Sequence, residues 1–393
     1  MDQIELASIE QCTGCMACMV ACKKKAISFT EEKVTLHTYP VIDHTVCIGC
    51  KKCVKSCPIL NFETIKDCNS YNRPITYCGW HIDESVRSRS TSGGVGTALA
   101  EIAIKSGYKV VGAKFDNQWH LLHDIASKES DLIPFAGSKY LLSDIEKSLN
   151  ESLLLLNKGV KIFFIGTPCQ CEAIKTLVPH KQKRDLLTCS IICHGVNSPI
   201  VWQDFVGFLE KKNRSHLESY NFRSKKLGWG KLFIDYRFAS GKRVEQKARY
   251  NLFHFWFGQH YIQRLSCFNC KFRTKRRYTD FIIGDFWGIE KIFPDLDIQK
   301  GVSALIANSE ESKNFLKTCT NLKLIETNVE HTYSVLKGFT ESQNEEVKEM
   351  EIKANMQFTK DYKQHSFESM SKLYPVPSLT KILFDYISSK LKD

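Results

Sequence analysis

Two kinds of segment are missing from this chain of 393 residues. No uninterrupted apolar run approaches the roughly 18 residues of a membrane-spanning helix; the stretch SLLLLNKGVKIFFIG is broken by Asn157, Lys158, Gly159 and Lys161. The first residues, MDQIELASIEQC, have neither the basic stretch nor the apolar core of an export signal. These absences argue against a transmembrane segment and predict a soluble, cytoplasmic protein.

Cysteine, in contrast, is abundant, with 17 in the chain. In a reducing compartment, so many cysteines indicate metal or redox chemistry rather than disulfides. Eight of them form two copies of the pattern CxxCxxCxxxC between residues 12 and 57. Bacterial-type ferredoxins hold two [4Fe-4S] clusters with this spacing, and the fourth cysteine of each copy binds the other cluster. The spacing therefore predicts one cluster on Cys12, Cys15, Cys18 and Cys57, and a second on Cys22, Cys47, Cys50 and Cys53.

A disulfide framework or paired zinc sites are the alternatives, because CxxC pairs also bind zinc. Zinc needs four thiolates in two separated pairs, and it explains neither a third cysteine at the same spacing nor the duplicated run. The ferredoxin interpretation is therefore preferred for residues 1–62.

The length of the chain predicts two or three domains. We expect a ferredoxin domain at 1–62, a linker at 63–75, a large domain at 76–340 and a helical extension at 341–393. In the large domain, strands are predicted at 74–80, 108–115, 161–167, 185–192, 231–238, 280–286 and 301–308. Helical patterns lie between them at 94–107, 143–159, 171–178 and 199–212. This alternation predicts a mixed α/β fold. In the tail, Leu379, Leu383, Ile387 and Leu391 share one helix face.

The net charge of +12 is concentrated in one segment. Residues 221–280 hold 15 Lys and Arg but only three acids, Asp235, Glu245 and Asp280, and the rest of the chain is balanced. This concentration of positive charge has four possible interpretations: a binding site for an acidic protein partner, for a phosphate-bearing cofactor or for nucleic acid, or a plain solvated face. Nucleic acid is the weakest of these, since the segment also contains candidate ligands.

A second set of cysteines lies in the large domain. Cys169 follows one predicted strand and Cys193 another, and functional groups of α/β sheets gather beyond the carboxyl ends of strands. Cys267 and Cys270 add a CxxC pair. Together the four can hold a further [4Fe-4S] cluster, although buried free cysteines are also common. Likewise, the Ser-Gly stretch before the helix at Val95 is either a phosphate cradle or an ordinary helix cap.

Six stretches of the chain resemble the beta-subunit family of coenzyme F420 hydrogenases and dehydrogenases. In chain order they are SGGVGTALAEIA, FAGSKYL, FFIGTPCQCEAIK, CHGVNSPIVWQDF, CFNCKFR and DFIIGDFWG. The resemblance covers about residues 75–310 and implies FAD, an additional [4Fe-4S] cluster, and electron exchange with a deazaflavin or another organic substrate. It implies that Cys169, Cys193, Cys267 and Cys270 hold the additional cluster. The flavin-site candidates that it implies are Ser92, Gly93, Gly94, Thr97, Lys139 and Tyr140.

Further residues follow from the same resemblance. Gly284, Asp285, Trp287 and Gly288 are expected near the cluster or flavin, or else in a structural turn. His194, beside a presumed ligand, is a candidate proton donor. The remaining cysteines, which are Cys68, Cys78, Cys171, Cys189 and Cys319, are expected to be ordinary small side chains.

The leading hypothesis is an iron-sulfur flavoprotein oxidoreductase that exchanges electrons with ferredoxin or another redox protein. Its small organic substrate is coenzyme F420 or, because bacterial relatives accompany surface-polysaccharide genes, a precursor of such a polysaccharide. The rivals are a non-catalytic electron-transfer subunit of a larger hydrogenase or dehydrogenase, and a redox-sensing scaffold. A homo- or hetero-oligomer is compatible with each of these hypotheses.

Overall fold

The computed structural model describes residues 4–32, 34–68, 74–274, 278–335 and 344–377. Its N-terminal module combines one hairpin with three short helices: α1 (Ala17–Ala21), β1 (Ile27–Glu31), β2 (Thr38–Ile42), α2 (Lys52–Ser56) and α3 (Phe62–Cys68). The two strands pair antiparallel. They separate the two cysteine runs, so that each run has a helix of its own, α1 or α2.

Thirteen strands and as many helices are numbered along the described residues. Those of the large domain and tail are β3 (Ile75–His81), α4 (Glu84–Arg89), α5 (Val95–Lys105), β4 (Lys109–Phe115), β5 (Leu121–Ala126), α6 (Glu146–Asn157), β6 (Ile162–Gly166), α7 (Pro168–Leu177), β7 (Leu186–Ile191), α8 (Pro199–Asn213), β8 (Leu217–Ser224), β9 (Phe233–Phe238), β10 (Arg243–Lys247), α9 (Leu252–Gly258), β11 (Phe281–Asp285), β12 (Ser303–Ala307), α10 (Glu310–Leu316), β13 (Leu322–Thr327), α11 (Val329–Val335), α12 (Glu345–Tyr362) and α13 (Phe367–Leu373). Short 3-10 turns lie at Glu129–Phe135, His180–Asp185, Trp229–Lys231, Ala248–Tyr250, Leu265–Cys267 and Ile289–Lys291.

An eight-stranded mixed sheet, in the order β13-β3-β12-β11-β7-β6-β4-β5, forms the centre of the large domain. Its middle strands β4, β6, β7 and β11 are parallel. Their side chains are apolar on both faces because helices or loops cover the sheet on each side; Ile162, Phe163 and Phe164, for example, are fully buried. The parallel order places the carboxyl ends of β6, β7 and β11 at one edge of the sheet, where ligand sites of α/β folds gather.

A second, three-stranded antiparallel sheet contains β8, β9 and β10. It packs with α8 and α9 into an aromatic core that includes Trp202, Phe253 and Trp256. The tail helices α12 and α13 close this core with Phe358 and Met370, both fully buried. The charged tail therefore has an apolar face that belongs to the body of the protein.

The seven strands and four helices predicted from the sequence are present, within a few residues of the predicted bounds. The mixed α/β prediction is therefore confirmed. Strands β5, β8, β10 and β13 are not predicted from the sequence, because each interrupts its apolar residues with polar or charged side chains. Residues 63–68 of the predicted linker lie within α3. The predicted helix face at 379–391 and the basic residues 275–277 lie outside the described residues.

Candidate functional site

The two N-terminal cysteine runs fold in the same way. In both runs the glycine between the first two cysteines is left-handed, with φ 71° at Gly14 and 73° at Gly49. The residue after the second cysteine is left-handed as well, with φ 59° at Met16 and 54° at Lys51. A five-residue helix follows each time. These repeated bends turn each loop back on itself and bring cysteines of the same run within electrostatic range of one another.

The first cysteine group contains the thiols of Cys12, Cys15, Cys18 and Cys57, which are close enough to interact electrostatically. Burial is the main cause that raises the pKa of Cys15 to about 12, and the neighbouring thiols raise it further. A buried thiol resists ionisation unless a metal compensates its charge, so iron binding here would release protons.

In the second cysteine group, Cys22 and Cys47 lie beside Cys53. Burial raises the pKa of Cys53, and these two thiols add to the shift. Cys50, on the same loop, is exposed. In the structure the last cysteine of each run therefore lies within electrostatic range of the other run.

The third cysteine group is assembled by the sheet. Cys169 lies in the first turn of α7, directly after β6, and Cys193 follows β7, the parallel neighbour of β6. Cys267 and Cys270 lie at or just after the 3-10 turn that follows α9; Cys267 interacts with Cys169 and Cys193, and Cys270 with Cys169. Burial raises the pKa of Cys267 to about 12. A side-chain hydrogen bond of 3.2 Å links Thr167 Oγ1 to Cys169 Sγ.

A small cavity between these four cysteines contains unsatisfied polar atoms. Besides the cysteines, Thr13, Ser266 and Arg273 are among the residues that line it. Within the described residues, Thr13 Oγ1, Ser266 Oγ and Arg273 Nε are buried and have no hydrogen-bond partner. Buried donors without acceptors are costly, and sulfide and thiolate sulfurs accept such bonds. The surroundings therefore fit an anionic, sulfur-rich group.

The first and third groups are neighbours, since Cys15 and Cys169 interact. The fully buried Arg264 holds the N-terminal module at this point. Its Nε donates to Cys12 O at 2.7 Å, its Nη1 to Thr38 O at 3.1 Å and its Nη2 to Cys12 Sγ at 3.5 Å. In the described parts of the chain no carboxylate pairs with this cation. An anionic cluster on the first group would supply the missing negative charge.

A large cavity of about 740 Å³ opens beside the third group. This volume lies in the range of small-molecule and cofactor sites. Cys193 lines both this cavity and the small one, so the two sites share a wall. The lining also includes Gly94, Val95 and Thr97, at the N-terminus of α5.

The start of α5 has the features of an anion site. Its N-cap is Gly94, with φ 89°, which provides no side-chain cap for the first turn. The first turn of α5 lines the large cavity and carries the positive end of the helix dipole. The N-terminus of a helix is a ready site for a phosphate or another anion.

Ser92 and Gly93 are set back from this position. Ser92 Oγ donates to Val302 O at 2.8 Å, and the Gly93 amide donates to Ser303 Oγ at 2.9 Å. Ser92 still lines the cavity, whereas Gly93 packs between β3 and β12. A Cβ at position 93 would clash with the Gly79 carbonyl oxygen and lie 2.8 Å from the Ser303 amide nitrogen.

Gly93→Ala is therefore expected to lower the free energy of unfolding by about 1–3 kcal/mol, the usual cost of overpacking. Chemical denaturation measures it. Gly207→Ala, in the open middle of α8 with nothing near its Cβ, is the matched control and should be neutral or stabilising. Equal stability of the Gly93 variant and the parent would show that the sheet yields easily here.

The cavity also contains Lys139 and Tyr140. Lys139 Nζ donates to the carbonyls of Phe135, Ala136 and Gly137 at 3.0–3.2 Å, and desolvation lowers the pKa of Lys139 to about 7. Its ammonium therefore closes a turn of its own chain. The Tyr140 ring stacks on Phe257 with centroids 5.0 Å apart.

Arg223 was not identified from the sequence, and it also lines the cavity. Its side chain is 10% exposed and pairs with Asp285 at 3.1 Å, and its Nη1 also donates to Tyr140 Oη at 3.2 Å. Its Nη2 is buried and has no partner among the described residues. Asp285 in addition accepts from Trp229 Nε1 at 3.0 Å, and the Trp229 and Trp287 rings stack 4.3 Å apart. The only sequence signal for Arg223 was its place in the basic segment.

The other predicted residues are accounted for as follows. Gly284, Asp285 and Trp287 line the large cavity, and Gly288 is the left-handed start of a 3-10 turn, with φ 80°. His194 also lines it, and desolvation lowers the pKa of His194 to about 4, so its ring is neutral at pH 7. Four of the five cysteines expected to be ordinary are in apolar packing, namely Cys78, Cys171, Cys189 and Cys319, and the side chain of Cys68 lies outside what the structure describes.

These sites are those of an iron-sulfur redox protein, and comparison with known families identifies which one. The model of the N-terminal part of the coenzyme F420 hydrogenase/dehydrogenase beta subunit matches residues 76–150, and that of its C-terminal part matches residues 159–333. A 4Fe-4S dicluster domain matches residues 11–60. The chain belongs to the coenzyme F420 hydrogenase/dehydrogenase beta-subunit family, with a 4Fe-4S dicluster domain at its N-terminal end.

Individual relatives are distant. An uncharacterized protein of Methanocaldococcus jannaschii is 22% identical over 281 residues, which are 62% of this chain and 74% of that protein. A chain from the structure of the F420-reducing [NiFe] hydrogenase complex of Methanosarcina barkeri is 14% identical, with a TM-score of 0.42, and the match covers 75% of this chain and 92% of that one. Among the described residues, no helix is both long enough and apolar enough to cross a membrane.

Proposed function

We propose that this protein is an iron-sulfur flavoprotein oxidoreductase. It passes electrons between a ferredoxin-type carrier, three [4Fe-4S] clusters and FAD, and it reduces or oxidises a small organic substrate. The observation that carries the proposal is the position of Cys193, which borders both the four-cysteine cavity and the large cavity. A cluster bound by the third cysteine group would therefore be close to a ligand in the large cavity.

Each cysteine group supplies four thiols, the number that one cubane requires. The first two groups account for the dicluster domain. The third would hold the additional cluster, and its fit rests on the three orphaned donors Thr13 Oγ1, Ser266 Oγ and Arg273 Nε. The electrostatic interaction between Cys15 and Cys169 makes the first group the link between the module and the large domain.

FAD is assigned to the large cavity because the residues there match its parts. The uncapped start of α5, with Gly94 and Thr97, suits a pyrophosphate, and the unpartnered Nη2 of Arg223 suits a further acceptor. When bound, FAD collects single electrons and delivers them in pairs, which clusters alone do not do. His194, neutral at pH 7, lines the same cavity and can offer a ring nitrogen or its N–H as a hydrogen-bond partner there.

The organic substrate is coenzyme F420 or, in a bacterial setting, a precursor of a surface polysaccharide. Both share the need for a two-electron donor or acceptor next to one-electron centres. Product analysis with each candidate substrate, in both directions of flow, distinguishes these two substrate classes.

Thr97→Glu tests the flavin site. Thr97 is the third residue of α5, and a glutamate there reaches back to the helix start and places a carboxylate where the phosphate would bind. We expect the dissociation constant for FAD to rise by about tenfold or more, which corresponds to about 1.4 kcal/mol. Fluorescence titration of flavin-free protein measures it.

Thr97→Gln is the matched control, since it has the same shape without the charge. It should bind FAD nearly as well as the parent, and Thr97→Glu should not lower the melting temperature, because a first-turn carboxylate stabilises a helix. Equal FAD affinity of the two variants would place the flavin elsewhere. The protein would instead be an electron-transfer subunit if it contains flavin and clusters but shows no turnover, and if a second protein is needed to restore turnover.

A further inference from the structure

Six lysines surround the second cysteine group. Lys23, Lys24 and Lys25 directly follow Cys22, and Lys51, Lys52 and Lys55 lie on either side of Cys53. All six are exposed. Cys22 and Cys53 interact, so the two lysine runs, 29 or so residues apart in sequence, border one group of thiols.

The two cysteine motifs that carry these lysines are themselves free of acidic residues. Residues 12–25 and 44–57, which contain both cysteine motifs, have no Asp or Glu. Among the described residues, Lys24, Lys52 and Lys55 have no carboxylate within salt-bridge distance, in contrast to several lysines of the large domain. The positive potential of this surface is therefore directed to solvent.

The same surface is partly apolar, and it exposes one of the thiols. Val46 and Ile48, on either side of Cys47, are 42% and 57% exposed, and Cys50 is exposed as well. In the first group, by comparison, Cys12 and Cys15 are buried. The second group is thus nearer to solvent. A small apolar patch with a charged rim is typical of short-lived protein contacts.

The basic segment at 221–280, the other candidate for a docking surface, is organised differently. Arg264 is buried against Cys12, Arg223 pairs with Asp285, and Lys225 donates to backbone carbonyls, including Ser92 O at 2.6 Å. Lys226 and Arg243 pair with acids on their own sheet. Much of its charge therefore serves internal contacts.

We propose that the lysine-rimmed face around Cys50 is the docking surface for a small acidic ferredoxin. The positive charge of this face is complementary to such a carrier. At its centre is the second cysteine group, which is the cysteine group nearest to solvent. The inference rests on the proposed function, because it requires a cluster on the second cysteine group.

The test compares two triple variants of the cluster-loaded, full-length protein. One carries Lys24→Glu, Lys52→Glu and Lys55→Glu. The other carries Lys181→Glu, Lys183→Glu and Arg184→Glu, in the exposed turn that leads into the start of β7, at the sheet edge opposite the site. Both variants change the net charge equally. Iron content is measured first, to show that both retain their clusters.

Binding of an oxidised, acidic two-cluster ferredoxin is then measured by calorimetry, and the rate of cluster reduction by the reduced ferredoxin by stopped flow. At low ionic strength we expect the Lys24, Lys52 and Lys55 variant to bind at least about tenfold more weakly and to be reduced correspondingly more slowly. The difference should disappear near 1 M salt, where the Debye length is about 3 Å. The control variant should behave like the parent.

Two binding results overturn the proposal: ferredoxin binding that is unchanged in the Lys24, Lys52 and Lys55 variant, or ferredoxin binding that is weakened equally in this variant and the control variant. A third is a salt-sensitive dimer of this protein that only the Lys24, Lys52 and Lys55 variant disrupts, because the face would then bind a second copy. A small uncharged reductant, generated photochemically, separates this failure from that of the proposed function. If that reductant reduces the clusters of the unaltered protein but the bound flavin stays oxidised, the proposed function fails, whatever the ferredoxin measurements show.

Discussion

Replacing Cys193 with alanine should lower the iron content of fully loaded protein from about twelve to about eight atoms per chain, because one cubane loses a ligand and the other two are untouched. Cys193 borders both cavities, so delivery of electrons to a ligand of the large cavity should fall by orders of magnitude. Iron and acid-labile sulfide analysis after anaerobic purification measures the first effect, and flavin bleaching by a reduced carrier the second.

Cys171→Ala is the control for this substitution. Cys171 lies two residues after the proposed ligand Cys169, is fully buried, and hydrogen-bonds through Sγ to Cys189 O at 3.6 Å. Its loss should cost some stability but no iron. A parent protein that never exceeds about eight iron atoms, or a Cys193 variant that keeps twelve, would eliminate the third cluster.

The second large effect is expected at Arg264. Arg264→Met keeps the length of the side chain but leaves Cys12 O and Thr38 O without their donor. Each buried acceptor that loses its partner costs about 1–3 kcal/mol, so the free energy of unfolding should fall by about 2–6 kcal/mol. It also removes the cation stacked on the Tyr39 ring, 4.0 Å from its centroid. Thermal melting under anaerobic conditions measures the loss.

A further effect of Arg264→Met separates it from simple destabilisation. Nη2 donates to Cys12 Sγ, and hydrogen bonds to cluster sulfurs raise the reduction potential. One cluster should therefore become harder to reduce in an EPR-monitored titration, while the others keep their potentials. Arg184→Met, at a side chain that is 86% exposed, should change neither property. Identical melting and potentials in the Arg264 variant and the parent would refute this role.

The local parts of the site could be read from the sequence because their geometry is local. Three cysteines within seven residues can approach one centre through bends of their own loop, and Gly14 and Gly49 supply those bends. The buried strands and the helix at Val95 were likewise identified from local patterns. The uneven distribution of charge was also visible, but its location in space was not.

Other parts depended on long-range packing. Cys169 and Cys267 are almost a hundred residues apart, and only the parallel pairing of β6 and β7 with the docking of the turn after α9 brings them together. For this reason, the family resemblance rather than the spacing had to suggest the third group. Lys139 matched a flavin motif, yet its ammonium is held by its own turn.

The sequence by itself indicated the two N-terminal cysteine groups, the mixed α/β class and most of the strands and helices of the central sheet, since each follows from spacing or periodicity over a few residues. Only the tertiary structure decided the use of the charged side chains. Arg264 became a buried clamp, Arg223 a cavity residue, and the lysines beside Cys22 and Cys53 one exposed rim. Whether a cation is buried, paired or free depends on the chain segments folded against it, and no local pattern encodes those neighbours.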